Sequence, residues 1–217
     1  MTAGGARTEI LRRVRAALAD RTGRPGVEIP WRYGVPVHTG GDDLVRRFVE
    51  RTTDYRAAVV RVSPGAVAGA IADALVSVGA RTVLADAQVR HRWSGAAAVR
   101  WLDDDGRSAA ELDRVDAVLT TATVAIANTG TLVLDHGPGQ GRRALSLVPD
   151  VHICVVDEAQ IVSDVPEAVA RLVDSGLHTR PLTWISGPSA TSDIELSRVE
   201  GVHGPRTLHV IVVGESD

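Results

Sequence analysis

The chain has 217 residues, which fits a single α/β domain or two small ones. A hydrophobic share of 44% and a charged share of 24% are ordinary for a globular protein, and a formal net charge of −3 argues against a broad nucleic-acid-binding surface. The single cysteine excludes an intramolecular disulfide, a cysteine-rich zinc site and an iron–sulfur cluster held by the usual four thiolates.

Hydropathy predicts neither a membrane span nor a secretory signal. No run of about 18 apolar residues occurs, and the N-terminus lacks the apolar core of a signal peptide. We therefore expect a cytoplasmic protein without a transmembrane helix.

The first elements of the chain are predicted to form an arm ahead of the main domain. Residues 7–20 place apolar side chains on one face and arginines on the other, which predicts an amphipathic helix. Residues 24–40 carry three prolines and several glycines, which is typical of a linker or extended segment. Residues 42–53 predict a second helix. We therefore divide the chain into an N-terminal helix and arm, 1–40, and an α/β domain, 41–217.

Predicted strands and helices alternate through the rest of the chain. The apolar runs predict strands at 57–62, 81–85, 99–102, 116–121, 124–127, 131–134, 152–156, 182–185 and 208–213. Helices are predicted at 64–78, after a Ser108–Glu111 capping box, at 165–175 and at 193–200. Gly79 and Gly176 are placed to end two of these helices. This alternation predicts a mainly parallel or mixed sheet covered on both faces.

The segment after the predicted strand 182–185 is rich in small and hydroxylated residues. Ser192 and Glu195 match a capping box, so one interpretation is a well-capped helix and nothing more. Capping does not explain the small residues directly upstream, which would let a ligand approach the backbone at a helix N-terminus. These residues include Ser186, Gly187, Ser189 and Thr191.

A second turn, Gly201–Pro205, contains His203 between glycines. We expect this turn and the one after residue 185 to meet at one edge of the sheet, where α/β proteins usually hold their ligands. His203 would then act as an acid, a base or a hydrogen-bond donor near neutral pH. The alternative is a turn histidine bonded to a backbone carbonyl.

Two further loops are candidates for anion binding. Asn128–Thr131 joins two apolar runs, and its backbone N–H groups would form an anion nest, unless it is an ordinary glycine turn between strands. Gly137–Arg143 combines glycines with two arginines, which suits a carboxylate or phosphate clamp or else a surface hairpin.

The single cysteine and the histidines indicate neither a reactive thiol nor a metal site. Cys154 lies in an apolar predicted strand, which indicates an inert core thiol. The seven histidines lack the spacing of metal ligands, so we expect no metal site.

Four motifs follow one another in the second half of the chain: Ala127–Leu132, Arg143–Pro149 with His152 shortly after, Ile185–Glu195, and Gly201–Pro205 with Leu208–Val210. In this order and spacing they resemble the LUD-domain family, and most closely its lactate utilization protein C branch. The resemblance spans residues 7–213 and is most specific between 116 and 213. One departure is Asn128, which stands where the family pattern leads us to expect an acidic residue.

The resemblance implies a three-layer α/β/α sandwich similar to the NagB/RpiA/CoA-transferase-like group. It also implies a place in a three-part system that oxidises L-lactate to pyruvate, whose two companion proteins carry the iron–sulfur clusters. No cofactor is expected in this chain, and the expected ligand is a small carboxylate or a phosphate-bearing molecule. The candidate catalytic residues are His203 and Glu195. The candidate ligand-binding residues are Asn128, Thr129, Gly130, Thr131, Arg143, Ser186, Gly187, Ser189, Thr191 and Gly204.

Three hypotheses remain open at this point. The first is a component of a lactate-oxidising complex, in which His203 assists proton removal from the lactate hydroxyl. The second is a stand-alone enzyme on a sugar phosphate or CoA thioester, with Glu195 or Asp193 as base; Asn128 removes one candidate nucleophile. The third is a non-catalytic assembly subunit that docks partners through the N-terminal helix and the proline-rich arm around Trp31 and Tyr33.

Overall fold

The computed structural model describes residues 3–19, 44–188, 190–191, 199–200 and 204–214. The chain divides into two compact units, Met1–Tyr33 and Gly34–Asp217, and each is described by itself. The domain boundary predicted at residue 40 and the proposed docking residues Trp31 and Tyr33 lie outside the described residues.

The described secondary structure is mixed α/β. The helices are α1 (Ala3–Ala17), α2 (Leu44–Asp54), α3 (Val67–Ser77), α4 (Ala87–Trp93), α5 (Ala109–Leu112) and α6 (Val165–Asp174). The strands are β1 (Ala58–Val62), β2 (Thr82–Ala85), β3 (Arg100–Leu102), β4 (Ala117–Thr121), β5 (Val124–Ile126), β6 (Thr131–Leu134), β7 (Val151–Asp157), β8 (Ile161–Val162), β9 (Thr183–Ile185), β10 (Ala190–Thr191), β11 (Val199–Glu200) and β12 (Thr207–Val213). In the first unit, α1 carries an exposed cluster in which Glu9 accepts hydrogen bonds from Arg12 and Arg13.

The centre of the second unit is a parallel sheet. Among the described residues it has six strands in the order β1-β12-β7-β4-β2-β3, and every adjacent pair is parallel. The central strands β7 and β12 are apolar along most of their length because both of their faces are buried. The prediction of a mainly parallel sheet is confirmed.

A second sheet, β8-β5-β6-β9, was not predicted as a separate body. The sequence predicts that the strand at 116–121 continues through 124–127, but the chain changes sheets between these segments. The backbone N–H of Ala122 donates to Val155 in the central sheet, and the next N–H, that of Thr123, donates to Val133 in the second sheet. A single residue step therefore transfers the chain from one sheet to the other.

Helices cover both faces of this assembly. On one face of the central sheet, α3 and α4 bury residues such as Ile71 and Trp93. On the other face, Phe48 of α2 packs with Leu132 of the second sheet and Cys154 of the central one. The helix α6 then covers the outer face of the second sheet. The predicted α/β/α sandwich is confirmed, with the second sheet as an addition between the central sheet and α6.

Most of the predicted helix ends are confirmed. Gly79 and Gly176 have φ values of 64° and 71°, the left-handed conformation expected after a helix, and the capping box at Ser108 is formed. Ser63, at the N-cap of the short 3₁₀ turn before α3, makes no side-chain capping hydrogen bond. The helix α4, whose N-cap is Asp86, was missed.

The helix predicted over 193–200 falls mostly outside the described residues. Its last two residues form β11, which pairs with β10 in an antiparallel ladder, so the helix prediction is wrong there. No helix in the described ranges combines the length and apolarity needed to cross a membrane.

Candidate functional site

A pocket of about 230 Å³ opens where β9 ends, next to the first residues of β7 and β12. The turns after β9 and before β12 meet in it, as the sequence predicts. It lies at the amino-terminal end of the parallel strands, whereas ligand sites of such sheets usually lie at the carboxyl ends. The difference arises because β9 belongs to the second sheet. The pocket is lined by Ser146, Leu147, His152, Thr183, Trp184, Ile185, Ser186, Gly187, Pro188, Gly204, Pro205 and Leu208.

A chain of three hydroxyl groups connects the Asn128–Thr131 turn to this pocket. The Oγ1 atoms of Thr129 and Thr131 are 2.7 Å apart, and Thr131 Oγ1 is 2.7 Å from Ser186 Oγ. Thr131 is buried, whereas Thr129 and Ser186 are exposed. Hydroxyl groups both donate and accept hydrogen bonds. The series of three hydroxyl groups therefore holds Ser186 in place at the pocket and leaves its oxygen able to bond a ligand.

Gly130 serves a close approach between the turn and α2. Its φ is +59°, and a Cβ atom there would lie 2.8 Å from the backbone carbonyl carbon of Arg51 and from the backbone nitrogen of Thr52. Only glycine fits such a backbone contact without displacing the helix. The position is thus explained by packing, and Gly130 is not among the pocket-lining residues.

Asn128 links the same turn to two other elements. Its backbone N–H donates to the Ser163 carbonyl over 3.0 Å, and its side-chain Oδ1 accepts a hydrogen bond from Arg47 Nη1 over 3.1 Å. The amide therefore faces a guanidinium at the position where the family pattern led us to expect an acid. A carboxylate at this position would form an ion pair with Arg47.

Gly187 brings the turn after β9 against the end of α2. Its φ is +101°, and a Cβ atom there would lie 2.6 Å from the Cβ of Tyr55. The turns on both sides of the hydroxyl chain are thus fixed against α2 by glycines. Their positions relative to the pocket are set by backbone packing rather than by flexible side chains.

His152 is a pocket residue that the sequence reasoning did not select. It follows Val151 at the start of β7, is 1% exposed, and its Nε2 lies 2.7 Å from Thr120 Oγ1. Its Nδ1 is buried and has no hydrogen-bond partner among the described residues. Burial lowers the pKa of His152 to about 4, so the imidazole is neutral at physiological pH. The available signal was strand alternation, which places His152 on the same face as Cys154 and Val156.

The loop 137–143 is built around side chains other than the predicted arginine clamp. Gln140 Oε1 accepts from the backbone N–H groups of Asp135 and His136, and Arg142 is paired with Asp104. Arg143 is exposed, and its guanidinium makes no hydrogen bond to the described part of the chain. Arg143 begins the 3₁₀ turn that carries Ser146 into the pocket, but it does not itself line the pocket.

A second polar cluster lies beside the pocket. The Asp135 carboxylate is 7% exposed and accepts hydrogen bonds from Thr123 Oγ1 and from Arg180 Nη1, at 2.8 and 2.7 Å. His136 has a φ of 58°, and its Nε2 lies 2.8 Å from the hydroxyl of Thr183, a pocket residue. Burial is the main cause that lowers the pKa of His136.

His203, Glu195 and Ser189 lie outside the described residues, and Thr191 is described only through its backbone pairing with Val199. Gly204, which follows His203 in the sequence, lines the pocket.

Neither a metal site nor a reactive thiol is found in the described part of the chain. It contains no group of three or more His, Cys, Asp or Glu side chains able to hold a metal ion. Cys154 is fully buried, and burial raises the pKa of its thiol to about 12. The prediction of an inert core thiol is confirmed.

Comparisons with known proteins agree with this architecture. The LUD domain family model matches residues 46–213. Lactate utilization protein C of Deinococcus radiodurans is 50% identical over 209 residues, 96% of each chain, and the protein of that name from Shouchella clausii is 28% identical over 88% of each chain. The crystal structure of a DUF162 family protein from Deinococcus radiodurans matches with a TM-score of 0.66 and 47% identity, covering 79% of this chain and 96% of the other. The chain belongs to the LUD domain family, as its sequence motifs predicted.

Proposed function

We propose that this protein is a component of an L-lactate utilization system and binds a short carboxylic acid in the pocket beside β9. The similarity that supports this role extends over 96% of both this chain and the Deinococcus lactate utilization protein C, so no part of the pocket falls outside the matched region.

The observation that carries the ligand class is the size and lining of the pocket. Its volume of about 230 Å³ is below the roughly 300–1,000 Å³ of sites for drug-sized ligands, which suits a molecule of a few carbon atoms. Hydroxyl groups of Ser146, Thr183 and Ser186 supply hydrogen bonds, while Leu147 and Leu208 offer an apolar wall. Such a pocket complements a ligand with oxygens at one end and a methyl group at the other.

Oxidation of L-lactate to pyruvate releases two electrons and two protons, and the electrons need an acceptor. The single buried cysteine of this chain does not fit the thiolate set of an iron–sulfur cluster. We therefore propose that cytoplasmic iron–sulfur partner proteins receive the electrons. His203 and Glu195 remain the candidate proton acceptors, and Arg143 remains a candidate for carboxylate binding.

The test is to purify the tagged full chain from lactate-grown cells and to measure lactate-dependent dye reduction by whatever complex is obtained. We expect cysteine-rich partners, an iron–sulfur absorption spectrum and activity that falls at least severalfold in Ser186→Ala. Ser175→Ala, which removes an exposed hydroxyl bonded within α6, is the matched control and should keep full activity. A solitary, colourless protein that binds no L-lactate in calorimetry would contradict the proposal.

A wider hollow favours a second candidate function. It has a volume of about 640 Å³, lies by the carboxyl end of β2, and is lined in part by Asp86, Asp135, Arg142 and Arg180. This is the edge where enzymes of parallel α/β folds bind phosphate-bearing substrates. Turnover of ribose 5-phosphate or glucosamine 6-phosphate by the pure chain would support that candidate over the lactate role.

A further inference from the structure

His152 is the pocket residue whose hydrogen-bonding capacity is left incomplete. Among the described residues, three buried side-chain atoms lack a partner, and of these only His152 Nδ1 belongs to a residue that lines the pocket. A buried polar atom without a partner costs about 1–3 kcal/mol, so such atoms in native proteins call for an explanation. His152 lines the pocket but its Nδ1 has almost no exposed surface, so a ligand that supplies the missing partner must displace the atoms that cover Nδ1.

We propose that His152 Nδ1 binds the 2-hydroxyl group of the ligand and thereby makes the pocket selective for 2-hydroxy carboxylic acids. This inference rests on the proposed function, because it assigns a role inside the same pocket. It is distinct from the part played by His203, which was chosen as a proton acceptor.

The hydrogen-bonding arrangement favours a hydroxyl group over other partners. Nε2 is engaged with Thr120 Oγ1, so Nδ1 is the atom left for a ligand, as a donor in one tautomer and an acceptor in the other. A hydroxyl group both donates and accepts and therefore satisfies either tautomer. A carbonyl oxygen satisfies only the tautomer with hydrogen on Nδ1, and a methylene group satisfies neither.

The neutrality of the ring assigns the two ends of the ligand. An uncharged imidazole on the buried floor offers little attraction to a carboxylate, whose charge is better solvated at the exposed rim near Ser186. The 2-hydroxyl then points inward to His152 and the carboxylate points outward. The backbone of His152 is held in place because it pairs with β4 on one side and with β12 on the other in the central sheet.

The test compares acids that differ only at carbon 2. Calorimetric titration of the full chain with L-lactate, pyruvate and propionate should give an affinity for L-lactate roughly tenfold or more above that for propionate, with pyruvate between them. His152→Phe should reduce this preference to near unity. His209→Phe, at a half-buried histidine of β12 that lines a different groove, is the matched control and should retain the preference.

A second measurement keeps the inference testable if His152→Phe does not fold. In ¹⁵N-labelled wild-type protein, the Nδ1 resonance of His152 should shift on addition of L-lactate and stay in place with propionate. Equal binding of L-lactate and propionate, an unshifted resonance, or a preference retained in His152→Phe would overturn this inference and leave the proposed function standing. Failure of the wild-type chain to bind any of the three acids would overturn both.

Discussion

The hydroxyl oxygens of Thr131 and Ser186 lie 2.7 Å apart although 55 positions separate the two residues in the chain. The antiparallel pairing of β6 with β9 explains this contact, because Leu132 faces Ile185 at the end of the ladder and the same register, continued by one residue, brings Thr131 opposite Ser186. Cross-strand hydroxyl pairs of this kind stabilise sheets by a few tenths of a kcal/mol up to about 1 kcal/mol. The contact also joins two of the sequence motifs into one site.

Thr131→Val is expected to weaken both stability and ligand binding. Valine has nearly the same shape but removes the central hydroxyl of the three, so Thr129 and Ser186 lose their link. We expect a loss of about 1 kcal/mol in the free energy of unfolding, measured by urea denaturation, and weaker L-lactate binding. The exposed Thr129→Val should cost less than half as much, and equal losses in the two variants would contradict the proposed central role of Thr131.

Gly130→Ala is expected to cost more than an ordinary loss of a left-handed glycine. Gly79 provides the control, since its φ is +64° but a Cβ there would meet no atom within 4 Å. Gly79→Ala should therefore show only the conformational penalty, about 1 kcal/mol. Gly130→Ala adds a clash with the backbone of α2, and we expect a total of about 3 kcal/mol or more in thermal or urea unfolding. Similar costs at both sites would show that α2 is free to shift.

Arg180→Gln is expected to destabilise the protein at neutral pH and much less in acid. Burial raises the pKa of Asp135, but hydrogen bonds from Thr123, Arg180 and Gly137 outweigh it and hold the pKa below its ordinary value. A depressed carboxyl pKa contributes stability above about pH 4, and this contribution is lost as the pH falls through the pKa of the folded state.

The size of this effect should exceed that of a surface pair. We expect Arg180→Gln to cost about 1–2 kcal/mol at pH 7, with the difference from wild type shrinking below about pH 4. The exposed pair Arg206–Asp150 is the control, and Arg206→Gln should cost less than about 1 kcal/mol. A loss for Arg180→Gln that stays constant from pH 7 to pH 3 would contradict this assignment.

Asn128→Asp is expected to stabilise the protein through Arg47. The change replaces an amide–guanidinium hydrogen bond by a charge-assisted one at a partly buried position. We expect a gain of about 0.5–1 kcal/mol that decreases with added salt. In an Arg47→Gln background the same substitution should bring no gain, and a gain that persists there would assign the effect to another group.

His152 is expected to dominate the loss of stability in mildly acidic solution. Burial lowers its folded-state pKa from 6.5 to about 4, so the unfolded chain binds a proton that the folded chain refuses. The contribution of His152 to stability is therefore fully present above about pH 6.5. It is lost as the pH falls toward 4, and the loss is on the order of 3 kcal/mol. His152→Phe should flatten this part of the unfolding profile. The exposed His178→Gln should leave the profile of the wild type unchanged.

Part of the candidate site was readable from the sequence. The small residues after β9 and the turn before β12 were expected to meet, and Ser186, Gly187 and Gly204 do line one pocket. His152 was not selected, because a histidine in an apolar strand gives no local sign of an unsatisfied nitrogen. Whether Nδ1 has a partner depends on neighbouring strands and on segments distant in the chain.

The sequence by itself determined most of the local structure and the family. Glycines such as Gly79 and Gly176 end helices because only a residue without a side chain adopts φ > 0 readily, and the apolar runs specify buried strands. The tertiary structure decided which strands pair. The change of sheet at Ala122–Thr123 and the contact of Thr131 with Ser186 depend on hydrogen-bond partners far along the chain. Each backbone N–H and C=O must find a partner when buried, but no short segment specifies which distant strand supplies it.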